Sequence, residues 1–316
     1  LRTGEEGVVK VLFPDITRVI AADLHVLRWI LPLLGRFVGI TNAGDLVVEL
    51  GRLFAGECDL EAEAKVQEIF RAMFRDDPRV LIPRVHTSHS GPRLLTMDFV
   101  NGVSYDRFKE AASQAEKNQA GAAIFELAAL SANRFGIFNA DPHPGNYLFL
   151  DGRVCFIDFG FVKRWPASFI ELWKQQSIAG MTNNLTDFEK ATRALGFTAK
   201  RGRVNYKALM EQYQACAYRP WRRDGLFRFD AAFLGTMDNL VVYSDRVGRL
   251  RVPPEFVAVS RLFFGQYALL CDMEAEANWH RLIVPYLKSP IEPMDHLGPQ
   301  PDWDQAGRKL YGLRRE

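Results

Sequence analysis

The chain has 316 residues, 48% hydrophobic and 25% charged, enough apolar material to bury a sizeable core as one two-lobed domain or two small ones. Forty basic against 38 acidic side chains leave a net charge near +2, too weak a field to gather nucleic acid, which is excluded as a partner. Cys58, Cys155, Cys216 and Cys271 are scattered without paired metal-ligand spacing, which suits buried free thiols in a reducing compartment. The most apolar stretch, 25–40, is interrupted by Arg28, Pro32 and Arg36 and is not a membrane span. With no signal peptide at the start, the expected location is cytoplasmic, peripheral to a membrane at most.

There is no initiator Met, and Gly4-Glu5-Glu6-Gly7 reads as a turn feeding the short β-branched strand Val8 to Leu12, so the sequence is expected to open inside a domain. Phe13-Pro14-Asp15 breaks that strand. Apolar residues then recur at helical spacing from Ile16 to Val38, and a second helical stretch from Asp45 through Arg75 carries the acidic cluster Glu57, Asp59, Glu61 and Glu63. Beyond Asp76-Asp77-Pro78, Val80 to Val85 and Arg93 to Phe99 read as strands of a small hairpin. Helical periodicity returns from Asp106 to Phe138. Two prolines and a glycine make 140–146 a rigid loop, and Tyr147 to Leu150 and Arg153 to Ile157 flank the hairpin signal Asp151-Gly152. From Trp165 to about Leu287 the chain reads as mostly helical, including Phe169 to Met181, Leu185 to Leu195 and Pro254 to Cys271, and a proline-rich tail from Ser289 reads as loosely ordered. The predicted plan is a two-lobed α+β fold: an incomplete strand-rich N-lobe over 1–99, a larger helical C-lobe over 100–288 and a tail over 289–316.

Three signals point to phosphoryl transfer. Asp158-Phe159-Gly160 follows an apolar strand, which holds its carboxylate at a strand end facing a cleft. Asp141 and Asn146 have the spacing of a kinase catalytic loop, aspartate then asparagine five positions on. A carboxylate and an amide oxygen on adjacent loops suit a hard cation, so Asp158 and Asn146 are the candidate metal ligands and Asp141 the candidate base. Lys10 in Val8-Val9-Lys10-Val11 matches the strand lysine that pairs with nucleotide phosphates and a helix glutamate. Glu63 is the expected partner and Glu61 the rival, because residues two apart on a helix face differently.

With these motifs the sequence resembles the UbiB/AarF/ADCK family of atypical kinases. The resemblance runs from about residue 3 to about 200, through Glu57-Cys58-Asp59-Leu60 with Glu63-Ala64, through 95–103, through 140–146 and through Phe156-Ile157-Asp158-Phe159-Gly160, and more weakly to the helix after Pro253-Pro254. It implies a protein-kinase-like fold, ATP with Mg²⁺, ATPase activity and roles in ubiquinone or other isoprenoid-lipid metabolism, with an isoprenoid lipid or membrane surface as a further partner. It also implies that Met97 and Phe99 line the base pocket and that the family's Glu-x-Asp motif falls on Glu57 and Asp59. Three departures stand out: no Lys-x-Gly-Gln segment and no alanine-rich nucleotide loop precede Lys10, and Asn139 stands where the family usually has histidine, so altered support for the catalytic loop is expected.

Set against these are plainer roles: Lys10 as an edge-strand charge, the acidic cluster as a solvated helix face, His143 as a loop stabiliser and Arg219, Arg222, Arg223 and Arg228 as a solvated basic patch. Two rival functions are a nucleotide-binding pseudokinase or scaffold, and an aminoglycoside- or choline-type kinase, in which Glu57, Asp59 and Glu63 are not expected together.

Overall fold

Strand β1 (Gly7–Val11) pairs antiparallel with β3 (Leu94–Asp98), Lys10 lying opposite Leu95, in a computed structural model that describes residues 4, 6–37, 40–56, 58–199, 202–237, 247, 249–299 and 301. A two-stranded ribbon is not stable alone. It is backed by helix α3 (Leu60–Met73), and Leu60, Ala64, Val85, Leu95 and Met97 form a small apolar cluster of their own against Leu12. Val9 and Val11 on the outer face stay exposed, and so does Val8 on the face of Lys10.

Helix α1 (Ile16–Phe37) packs on α2 (Ala43–Gly56). The stretch expected as one helix from Asp45 to Arg75 is in fact α2 and α3. Asp59 starts α3 by accepting the Ala62 N–H at 3.1 Å, an N-cap that competes with continuation from the preceding helix. Glu57 lies outside the described residues.

The hairpin expected over 79–99 forms only in part. β2 (Val80–Leu81) pairs in parallel with β7 (Arg153–Phe156), while 84–86 fold back antiparallel on β3, which also takes β1: Val85 bridges Met97, the Asp98 N–H bonds the Arg84 carbonyl at 3.0 Å and the His86 N–H bonds the Thr96 carbonyl at 2.8 Å. Arg79 anchors β2 to the helical side: its guanidinium reaches Asp77 at 2.7 Å and Glu126 at 2.8 Å, and its carbonyl accepts the Val154 N–H at 2.8 Å.

The helical run 106–138 is also subdivided. Ser113 and Glu116 form a reciprocal capping box that starts α5 (Gln114–Leu130), separate from α4 (Tyr105–Ala111). After a π-helical turn over 131–135, Gly136 takes φ 71° and passes the chain to β5 (Ile137–Asn139), which pairs with β8 (Val162–Arg164). β6 (Tyr147–Leu150) and β7 form the expected hairpin, with Asp151 at φ 49° and Gly152 at φ 71°. Loops 140–146 and 157–161 therefore leave two neighbouring ribbons side by side. They are tied by Ala140 N–H to Phe161 carbonyl at 2.9 Å and Ile157 N–H to Asn146 carbonyl at 3.1 Å.

The helices Ala167–Met181, Leu185–Ala194, Tyr206–Ala215, Phe256–Asp272 and Trp279–Lys288 build the rest around a large aromatic core that includes Tyr218, Trp221, Phe229, Tyr267 and Trp279. The tail is not loose as far as it is described. Met294 is buried, the Glu292 N–H bonds the Arg134 carbonyl at 2.7 Å, and the Arg134 guanidinium bonds the Glu292 carboxylate at 2.7 Å. Ile291, Met294 and Leu297 supply the apolar anchor that a count of prolines and charges overlooks. Among the described residues no helix is long and apolar enough to cross a membrane.

Candidate active site

Alternation along β1 turns Lys10 inward, toward α3, while its neighbours face solvent. Lys10 Nζ donates to Glu63 Oε1 at 2.8 Å and Oε2 at 3.0 Å, and to Asp158 Oδ2 at 2.8 Å. Glu63 is buried and also accepts the Phe159 N–H at 3.2 Å, so one carboxylate joins strand, helix and the 157–161 loop. Glu61 points to solvent, where it meets Lys65 at 3.4 Å. Burial pushes the Glu63 carboxyl up, and Asp158 pushes it further, against the pull of Lys10. Burial likewise disfavours the Lys10 ammonium, but Glu63 and Asp158 outweigh it and hold its pKa above the ordinary value, so Lys10 is a charged group at neutral pH.

Across the site, Asn146 Nδ2 donates to the Asp141 carbonyl at 3.0 Å and to Asp141 Oδ2 at 3.1 Å. With its nitrogen so engaged, the Asn146 amide oxygen is the atom left for a cation. His143 Nδ1 accepts the Gly145 N–H at 3.0 Å and caps the tight turn 144–146, the loop-stabilising role. Asn139 does more than its chain position suggested. Its Nδ2 donates to the Asp158 carbonyl at 2.7 Å and its Oδ1 accepts the Asp141 N–H at 3.0 Å, so one amide bridges both loops and their support is kept without a histidine.

A cavity of about 260 Å³ opens between these groups, lined by Lys10, Met97, Phe99, Asn146 and Asp158 together with Val8, Leu148 and Ile157. Met97 is buried at its back and Phe99 half exposed at its rim. The oxygens of Asp158 and Asn146 are hard donors that fit Mg²⁺. Among the described residues no three His, Cys, Asp or Glu cluster as a metal cage.

Arg261 is the residue that the motifs did not indicate. It comes from the Phe256–Asp272 helix and donates through Nη2 to Asp141 Oδ1 at 2.5 Å. An arginine on an apolar helix carries no motif, and only the fold brings it to the loop.

The ABC1 atypical kinase-like domain matches residues 1–191. ACTIVITY OF BC1 COMPLEX KINASE 1, chloroplastic, from Arabidopsis thaliana is 28% identical over 294 residues, covering 90% of this chain and 42% of that protein. Atypical kinase COQ8B, mitochondrial, from Danio rerio is 28% identical over 203 residues, covering 62% and 32%. The chain thus spans less than half the length of these relatives. Among solved structures, the Rv3197–erythromycin complex from Mycobacterium tuberculosis superposes with a TM-score of 0.67 at 22% identity, over 91% of this chain and 73% of that one, which establishes the two-lobed kinase-like fold. Since the domain match takes in more than half of the chain, including Lys10, Glu63, Asp141, Asn146 and Asp158, the chain belongs to the ABC1 atypical kinase-like family, the UbiB/ADCK group.

Proposed function

We propose that the chain binds ATP with Mg²⁺ and either hydrolyses it or transfers its γ-phosphoryl group to a small or lipid-like acceptor, in work linked to ubiquinone or other isoprenoid lipids. The observation that carries the proposal is the three-way contact of Lys10 with Glu63 and Asp158 at a cavity whose other wall holds Asn146. Lys10 engages the phosphates, and Glu63 keeps it aimed. Asp158 and Asn146 hold the metal, which when bound supplies charge neutralisation at the phosphate oxygens. Asp141 orients the attacking hydroxyl and takes its proton as the oxygen–phosphorus bond forms and the bond to the β–γ bridging oxygen breaks, releasing ADP. Met97 and Phe99 flank the base. The lipid-like acceptor and the membrane surface rest on the family resemblance, and the name of the Arabidopsis relative ties that protein to the bc1 complex.

The test compares the chain with Asp158→Ala, measuring thermal stabilisation by ATP–Mg²⁺ and release of phosphate. Stabilisation and metal-dependent release, both lost in the variant, support the proposal. Binding without release makes the chain a nucleotide-binding scaffold, and stabilisation that persists in the variant with its metal dependence intact removes the metal assignment.

A further inference from the structure

The Phe256–Asp272 helix lies beyond residue 191, where the domain match ends, yet it meets the 140–146 loop at two points. Arg261 Nη2 donates to Asp141 Oδ1 at 2.5 Å, and its guanidinium lies over the Phe161 ring, 4.4 Å from the centroid. Four residues on, and so on the same helix face, Gly265 abuts Pro142: a Cβ at 265 would stand 2.6 Å from Pro142 Cγ and 3.2 Å from its Cδ. Phe161 is itself buried and braced edge-on by Phe54 at 5.6 Å.

Asp141 is thus held from two sides. Asn146 engages Oδ2 from within the loop, and Arg261 engages Oδ1 from outside it. A planar guanidinium can stack on Phe161 and bond a carboxylate at the same time, which the compact ammonium of lysine does less well. Arg261 Nε is buried without a partner among the described residues, and Nη2 makes the hydrogen bond to Asp141.

We propose that Arg261 is a positioning residue for Asp141: from outside the family domain it fixes the carboxylate in the orientation that receives the acceptor's proton, and the bare backbone of Gly265 lets its helix come close enough to do so. The proposal rests on the assignment of Asp141 as base. The opposite role, a guanidinium that blocks Asp141, predicts faster turnover when the arginine is removed.

The experiment uses the full chain and its Arg261→Ala, Arg261→Lys, Asp141→Ala and doubly substituted Asp141→Ala/Arg261→Ala variants. It measures steady-state phosphate release from ATP–Mg²⁺ and hydrogen exchange of the 140–146 amides. In Arg261→Ala the expected kcat falls roughly 10- to 100-fold with KM for ATP–Mg²⁺ within about twofold, Arg261→Lys recovers part of the loss, and the double variant is no slower than Asp141→Ala. Exchange is expected to quicken at 140–146 and stay unchanged at 7–11 and 94–98. An unchanged or raised kcat in Arg261→Ala overturns the proposal, as does a parallel loss of nucleotide affinity with faster exchange throughout, which marks a purely structural side chain. If the unaltered chain releases no phosphate, the enzymatic reading fails by itself; the exchange arm then decides, and unaltered protection of 140–146 in Arg261→Ala overturns the proposed bracket.

Discussion

Asn139 joins the two loops of the site because one amide offers a donor and an acceptor in fixed relation. The donor meets the Asp158 carbonyl and the acceptor meets the Asp141 N–H. Asn139→Asp keeps the shape and the acceptor but sets a carboxylate oxygen against a carbonyl. It is expected to destabilise the chain by about 1–3 kcal/mol and to slow phosphate release roughly tenfold or more, and Asn139→Ala is expected to be the milder change. Thermal unfolding alongside turnover checks both, and equal effects of the two substitutions would show that the donor is idle. At this scale legibility followed spacing. Lys10, Asp141 with Asn146, and Asp158 could be picked out from short local motifs, and Glu63 as the expected helix partner of Lys10. The choice of Glu63 over Glu61 followed from helical geometry, and the structure pairs Lys10 with the first while the second faces solvent. Arg261 acts across 120 positions, a separation at which no local pattern survives.

Elements were legible where local chemistry decides them. The Asp151-Gly152 turn, β1 and the helices with clear apolar stripes formed close to their expected bounds. They were not legible where partners at long range decide. The residues at 80–85 have strand composition, but Arg79 ties their start to Glu126 and Val154, so Val80–Leu81 join the β6–β7 sheet and only the stretch from Arg84 folds back on 94–98. The Asp59 cap was present among the acidic residues, yet a run of helix-favouring neighbours hid it. The Phe256–Asp272 helix gives a prediction of its own. Gly265→Ala would improve helix propensity by about 1 kcal/mol in isolation. Here the added methyl would meet Pro142, and overpacking of about 1–3 kcal/mol should win. A lower Tm together with loosened 140–146 amides is the expected outcome, and a raised Tm would mean that the helix shifts without strain.

Across the molecule, the apolar residues fall into two clusters of very different size, the smaller beneath the β1–β3 ribbon and the larger through the helices. Composition allowed such a division, but which residues bridge it depends on tertiary contacts. Lys10 with Glu63 and Asp158 is that bridge. Each Asp158 oxygen accepts one hydrogen bond, Oδ2 from Lys10 and Oδ1 from the Gly160 N–H. On the proposed reading, cation and nucleotide compete with this resting ion pair. A cation drawn to Asp158 would loosen its hold on Lys10, and phosphates drawn to Lys10 would loosen its hold on Asp158, so each ligand would lessen the cost that the other faces. On the proposed reading, thermodynamic linkage then predicts positive heterotropic cooperativity of equal size in both directions. Titrating ATP at several fixed Mg²⁺ concentrations should show its Kd falling as Mg²⁺ rises by more than formation of the ATP–Mg²⁺ complex in solution accounts for. Asp158→Asn, which weakens the hold on Lys10 and removes the carboxylate, should bind metal-free ATP more tightly than the unaltered chain and lose that dependence. One shared carboxylate would thus make the resting ion pair a reciprocal switch.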